Sequence, residues 1–432
     1  MICENLSVNS CGHLTFAGLD CVELAAKYGT PLYVMDENRI RHNCRVYMNA
    51  MKKYFGENSA CLYASKACSF KRLYEIIKEE GFGTDVVSSG EVYTALKADF
   101  DLGNAFFHSN NKTDEDIAFA IDSGIGYFVC DNIEEVYSIS AIAGEKGVKQ
   151  KVLLRLTPGI DPHTYEAVNT GKVDSKFGSA IETGQAFEIT KTTLGLPNID
   201  LRGFHCHIGS QIFDSEIYIR GSEIMLEFIA HVRQNLGYTA EILDLGGGYG
   251  VRYIEANPYI DIDSNIKGLA DFIKRTVAQL AIPMPRICLE PGRSIVADAG
   301  LTLYTAGTVK RIPGYKNYVS IDGGMADNPR YALYGSYYTV MSALRPEAQC
   351  DMHCTLAGRC CESGDLIQEN IFLPSDIKRG EIIAVLTTGA YNYSMSSNYN
   401  RLGKPAVVMI ADGKDYVAVK RETLDDIIRN DV

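Results

Sequence analysis

The chain has 432 residues, 46% hydrophobic and 22% charged, and a formal net charge of −12. That mix excludes a disordered or fibrous protein, and the acidic balance disfavours nucleic acid or an anionic membrane as the main partner, since both want a basic face. The length accommodates a closed β/α barrel of about 250 residues plus a smaller second domain.

No run approaches the ~18 apolar residues that mark a membrane span. The start, MICENLSVNS, lacks the basic and then apolar order of a secretory leader. Thirteen cysteines are scattered along the chain, odd in number and without a C-x-x-C pair. These features predict a cytoplasmic protein with reduced thiols.

In chain order, the first 35 residues read as strand and then helix (HLTFAG, VELAAKYG), leading into PLYVMD. Eight short β-rich runs follow: 60–65 (ACLYAS), 84–88 (TDVVS), 104–108 (NAFFH), 126–130 (GYFVC), 151–156 (KVLLRL), 201–207 (LRGFHCH), 241–245 (EILDL) and 286–290 (RICLE). Helix-like stretches separate them. Phe70, Leu73, Ile76 and Ile77 share one helical face, which Gly81 ends. Asp131-Asn132 offers an N-cap to IEEVYSISAIAG. Residues 215–235 and 265–280 read as long helices. Alternating β and α elements imply a parallel sheet with helices outside, and eight units is the number that closes a barrel. The rival is an open doubly wound sheet.

After about Asp298 the helical periodicity fades into TLYTAGTVKRI, KNYVSIDGG, CDMHCTLAG and EIIAVLTTGAYNY. The predicted fold is therefore an α/β (β/α)8 barrel over 36–298. A mostly antiparallel β-domain is built from 299–432 together with 1–35.

In such a barrel the chemistry sits where strands end. Lys66 follows the first run, Asp85 lies in the second, His207 ends the sixth, Gly246-Gly247-Gly248 follows the seventh and Glu290 ends the eighth. Glycines let backbone N–H groups approach a phosphate, although a tight turn explains a glycine triplet equally well. A lysine at a strand mouth can form a Schiff base, or it can simply be solvated. Glu290 can pair with Arg293 or hold a ring nitrogen protonated. His205 and His207 point the same way on a strand, because side chains alternate. The H-x-H pair lacks further ligands on neighbouring strand ends, so a stacking or hydrogen-bonding imidazole is preferred to a metal site. Cys350, His353, Cys354, Cys360 and Cys361 fit no zinc spacing. Tyr331, Tyr337 and Tyr338 read as core or interface.

Taken together, Tyr63-Ala64-Ser65-Lys66-Ala67, His207-Ile208-Gly209-Ser210-Gln211, Gly246–Gly248, Glu290-Pro291-Gly292-Arg293 and Cys361-Glu362-Ser363-Gly364-Asp365 resemble the pyridoxal-phosphate decarboxylases of the alanine-racemase fold type. The similarity runs from about Gly29 to Thr423. It is greatest to the branch that acts on meso-2,6-diaminopimelate and yields L-lysine and carbon dioxide, the last step of lysine biosynthesis.

The resemblance implies that Lys66 holds pyridoxal 5'-phosphate through its amine and that His207 stacks on the ring. Glu290 would pair with the ring nitrogen. Asp85, Ser210, Gly246, Gly247, Gly248, Gly292, Arg293 and Tyr391 would complete the cofactor site. Arg293, Arg330, Tyr334, Glu362 and Tyr391 would bind substrate, the arginines clamping carboxylate. Cys361 would return a proton to the carbon that loses carbon dioxide. Cys361 and Glu362 would come from the partner subunit of a homodimer. No metal is implied.

The chain departs from the family pattern at Ser65, where valine is usual, and at Tyr331, where proline is common. It carries Gly358-Arg359-Cys360-Cys361 in place of a Gly-Pro sequence before the thiol. Residues 398–403 match in part. Three rivals stand beside this reading. One is a relative acting on ornithine, arginine, carboxynorspermidine or a D-amino acid. The second is a non-catalytic decarboxylase-like binding protein. The third is a racemase, against which Glu290 speaks.

Overall fold

A computed structural model describes residues 2–160 and 175–432. By internal contacts the chain divides into two compact units: Asn43–Gly250 with Ile260–Gly292, and Met1–His42 with Val251–Tyr259 and Arg293–Val432.

The first unit is a closed parallel barrel. Its strands are Ala60–Ala64, Gly83–Val86, Ala105–Phe107, Tyr127–Cys130, Gln150–Thr157, Ile199–His205, Ile242–Asp244 and Arg286–Leu289. Each pairs in parallel with the next, and the eighth closes on the first through Cys288–Ala60 and Leu289–Cys61. All eight predicted runs fall on these strands. Leu62, Phe106, Val129, Leu153, Ile242 and Cys288 form a packed interior layer. Such a barrel is a filled core rather than a pore. Replacing Phe106 by Ala would cost about 3–5 kcal/mol.

The helices outside follow from their apolar spacing. Lys71–Glu79 buries Leu73, Tyr74, Ile76 and Ile77 on one face. Asn132 caps Ile133–Glu145 by accepting the Glu135 N–H at 2.9 Å. The long helices are Ser215–Leu236 and Ile262–Gln279. None of the helices described is long and apolar enough to cross a membrane.

In the second unit a nine-stranded sheet is mostly antiparallel. Its strand Leu32–Asp36 is buried at every residue. It pairs antiparallel with Gly300–Ile312 and parallel with Ala406–Ala411. Leu14, Phe16, Leu24, Leu32, Val34, Leu301, Leu303, Leu386 and Val408 share its core.

Candidate active site

The carboxyl end of the barrel gathers most of the strand-end residues singled out above. Lys66 sits in the one-turn 3-10 helix Ser65–Ala67 directly after the first strand. Its side chain is exposed and makes no hydrogen bond or ion pair among the described residues. Asp85, in the second strand, accepts the Ser65 N–H at 3.2 Å and so fixes the turn that carries Lys66. Glu91 supports the same turn, accepting the Ser65 hydroxyl at 2.8 Å and the Val87 N–H at 2.7 Å.

Glu290 follows the eighth strand and is buried. Its Oε1 lies 2.7 Å from His108 Nε2 and its Oε2 lies 3.2 Å from His205 Nε2. Burial pushes the Glu290 carboxyl up, and attraction and hydrogen bonds from the two imidazoles more than reverse it. Its pKa is therefore held well below the usual carboxylate range. Asp85 and Asp244 go the other way. Burial raises both well above the usual range, and the Glu290 charge raises them further. Of these three carboxyls, Glu290 is the one that carries charge. Arg155, buried in the fifth strand 3.8 Å from Asp131, adds a cation whose field reaches Glu290.

The sixth strand ends at His205, where the sequence pattern had carried it on to His207. The Cys206 N–H goes to the Asp244 carbonyl, and the chain then leaves the sheet. Alternation stops with it, so the two imidazoles have different partners. His205 faces Glu290, whereas His207 Nδ1 accepts the Gly247 N–H at 3.3 Å. Burial, then repulsion from Lys66 and Arg155, lowers the His207 pKa well below its usual value. A neutral, flat imidazole beside the glycine run is suited to stacking.

Ser210 lies on the loop that follows. That loop is tied to the glycine run by paired hydrogen bonds, Ile212 N–H to Gly248 O and Gly250 N–H to Ile212 O, each 3.0 Å. Gly246 and Gly248 have φ of 67° and 116°. A Cβ at Gly246, Gly247 or Gly248 would come within 2.8 Å of Cys206 O, 2.1 Å of Glu290 O or 2.3 Å of Gly209 O, respectively. Gly292 is also confined, since a Cβ there would come within 2.7 Å of the Ala64 methyl. The Gly248 N–H has no acceptor among the described residues. A crowded glycine run with an open donor fits a phosphate. With a lysine amine and an ionised buried carboxylate on the same barrel end, the donor set fits pyridoxal phosphate.

The remaining predicted residues belong to the second unit. Arg293 is buried and donates from Nη1 to the Tyr253 hydroxyl at 2.7 Å. Its guanidinium lies 4.8 Å from the Tyr391 ring centroid, and that of buried Arg330 lies 5.2 Å from the same ring. Tyr334 backs Arg330 at 5.4 Å. Two arginines thus flank one tyrosine. Near them in sequence, Asn328 is buried and both its amide atoms, like Arg330 Nε, lack a hydrogen-bond partner among the described residues. Tyr338 is buried, and Tyr331 donates to Glu369 at 2.9 Å.

Cys361 and Glu362 lie elsewhere, on an exposed turn with no hydrogen bond, ion pair or ring contact to that group. The Cys361 N–H donates to Asn400 Oδ1 at 2.7 Å. Asp365 anchors the turn, its Oδ2 accepting the Cys360 N–H at 2.6 Å. Burial and then the Asp365 charge push the Cys360 thiol up to about 11. Glu362 accepts the Gly364 N–H at 3.1 Å.

The sequence reading did not find His108, Arg155, Glu91 or Asp244. His108 ends the third predicted run, so a complete survey of strand ends would have reached it. The other three lack a motif.

Comparison with known proteins accounts for this arrangement. Residues 39–297 match the model of the pyridoxal-dependent decarboxylase, pyridoxal binding domain. Diaminopimelate decarboxylase of Bacillus methanolicus is 43% identical over 415 residues, 96% of each chain. That of Bacillus subtilis is 41% identical, covering 98% of this chain and 96% of its own. Among solved structures, diaminopimelate decarboxylase from M. jannaschii in complex with L-lysine has a TM-score of 0.91 and 33% identity, covering 99% of this chain and 98% of that one. The chain therefore belongs to the pyridoxal-dependent decarboxylases, and within them to the diaminopimelate decarboxylase family.

Proposed function

We propose that this protein uses pyridoxal 5'-phosphate to decarboxylate meso-2,6-diaminopimelate to L-lysine and carbon dioxide, the last step of lysine biosynthesis. The observation that carries the reading is Glu290, held ionised on the barrel end that also presents the Lys66 amine. When bound, the cofactor supplies a sink for the electron pair released as the carbon–carboxylate bond breaks.

The chain's own residues do the rest. Lys66 would hold the cofactor through its side-chain amine. Glu290 keeps the ring nitrogen protonated, with Asp85 holding the Lys66 turn. Gly246, Gly247, Gly248, Gly292 and Ser210 would receive the phosphate and His207 would stack on the ring, with Arg293 and Tyr391 the other residues assigned to the cofactor. Arg293 and Arg330, backed by Tyr391 and Tyr334, bind substrate carboxylate. A guanidinium fork fits a carboxylate bidentately. A bare distal amine would want acidic residues there instead.

Cys361 returns the proton to the carbon that lost carbon dioxide, and Glu362 binds substrate. Both serve the site of a partner subunit in a homodimer. The barrel over 36–298 holds the cofactor, and 1–35 with 299–432 supplies substrate and dimer contacts. Support for this division of labour comes from the family's motif order and from the exposure of the Cys361 turn. A cytoplasmic setting accords with thirteen free thiols.

The experiment is an absorbance spectrum with added pyridoxal phosphate, followed by an assay of carbon dioxide and lysine from meso-diaminopimelate. Ornithine, arginine and D-lysine serve as controls. The expected result is the visible band of lysine-bound cofactor and lysine formed from diaminopimelate alone. A preferred substrate among the controls would move the substrate assignment, and absence of the band would remove Lys66 from its role.

A further inference from the structure

His108 and His205 come from the ends of the third and sixth strands and meet edge to face, their ring centroids 4.8 Å apart at 68°. Each turns Nε2 to a different oxygen of Glu290, at 2.7 Å and 3.2 Å. All three side chains are buried. A carboxylate offers about four lone-pair sites, so one imidazole on each oxygen leaves two for another donor.

The same three side chains could be read as metal ligands, since their donor atoms lie within 4.8 Å of one another. The 2.7 Å contact decides against it. Two ligands of a tetrahedral zinc ion with bonds near 2.0–2.1 Å stand about 3.3 Å apart. At 2.7 Å the pair stands closer than two ligands of one ion, a polar contact between His108 and Glu290 in which neither atom has an aligned hydrogen-bond partner among the described residues, whereas His205 Nε2 is hydrogen-bonded to the other oxygen.

Burial lowers the pKa of both histidines, that of His108 to about 4. They are therefore neutral, and Glu290 as acceptor selects the tautomer with the proton on Nε2. Neutral donors satisfy a buried carboxylate without cancelling its charge. That matters because a protonated histidine would form a closed ion pair and weaken the hold of Glu290 on any third group. The neighbours Asp85 and Asp244 lack such a pair of imidazoles, and burial neutralises them.

We infer that His108 and His205 are positioning residues for Glu290: they fix its carboxylate from both oxygens, so that the lone pairs left over are those that serve the ring nitrogen of pyridoxal phosphate. This rests on the proposed pairing of Glu290 with that nitrogen. Neither imidazole touches the reacting atoms in this role, and the effect passes through Glu290.

The test compares full-length enzyme with four variants: His108→Leu, His205→Leu, His108→Gln and His205→Gln. The glutamine amide nitrogen can stand where Nε2 stood. Dissociation constants are measured by equilibrium dialysis for pyridoxal phosphate and for its 1-deaza analogue, in which carbon replaces the ring nitrogen. A hydrogen bond to a charged group is worth about 1.5–3 kcal/mol, so the wild type should prefer the natural cofactor by about tenfold to a hundredfold. The Leu variants should lose most of that preference while binding the analogue as the wild type does. The Gln variants should restore it.

Leu variants that keep the wild-type preference overturn the inference. Loss of both ligands alike, unrelieved in the Gln variants, marks a merely structural role and overturns it too. A wild type without preference shows instead that Glu290 does not serve the ring nitrogen, and the inference falls with that reading.

Discussion

Gly247 passes so close to Glu290 that a Cβ on it would stand 2.1 Å from the Glu290 carbonyl oxygen and 3.0 Å from the carbonyl carbon. Both atoms are backbone at a strand end, so neither can swing aside. The glycine run and the carboxylate are thus set against each other by main chain alone. Gly247→Ala should push the loop away from Glu290 and weaken pyridoxal phosphate binding by at least about tenfold. Equilibrium dialysis reads the change, and an unaltered affinity would separate the run from the cofactor.

Lys66→Ala removes the amine on the first strand's exit. The visible band of lysine-bound cofactor and the production of lysine from diaminopimelate should both vanish. The far-ultraviolet circular dichroism should not change, since Lys66 is exposed and makes no hydrogen bond or ion pair among the described residues. Retained turnover would end the assignment.

Arg330→Lys keeps the charge and loses the planar fork that stacks beside Tyr391 and Tyr334. Steady-state kinetics should show KM for diaminopimelate raised about tenfold or more, with the cofactor band intact. A fall in cofactor affinity with KM unchanged would move Arg330 from the substrate to the cofactor.

Cys361→Ala and Lys66→Ala test the shared site. Each variant alone should be nearly inactive. Mixed through reversible dissociation, a random two-fold pairing leaves one intact site in half the dimers, so activity should recover to about a quarter of wild type. No recovery would place the thiol and the lysine of one chain in the same site. Cys360→Ala is the control, and it should stay active.

His108 gives a pH signature. Unfolded, it takes up its proton near 6.5; folded, burial delays this to about 4 despite the attraction of Glu290. Between those values the unfolded chain binds more protons, so acidification favours unfolding and the stability present above 6.5 is lost toward 4. His205 and Arg155, which also face it, do not reverse the sign. In urea titrations His108→Gln should lose less stability across that window than wild type does. Equal losses would mean that His108 is not buried neutral.

The barrel was legible because its strands are short runs of Val, Ile, Leu and Phe that end in polar or glycine residues, separated by helix-like spacing. The motif residues Lys66, His207 and Glu290 could be read for the same reason, as each follows such a run. His108 ends such a run too, but its role and that of Arg155 could not be read, because they lie in where strands three and five stand relative to six and eight. No local spacing encodes that closure. His205 was visible, but its partner was not, since the H-x-H pattern suggested two rings on one face. The strand ends at His205, before the second ring of that pattern.

The strand Leu32–Asp36 takes one neighbour from 300–303 and the other from 406–410. At synthesis rates of about 5–20 residues per second, its last neighbour is about 20–70 s away when it leaves the peptidyl-transfer centre. Over that interval a strand that is apolar but for Asp36 stands with open edges, the condition that invites pairing with another chain. The barrel strands, complete by Leu289, wait for nothing later. In a cell, yield of this protein should therefore depend on how fast its last third is translated and on chaperone cover for residues 32–36.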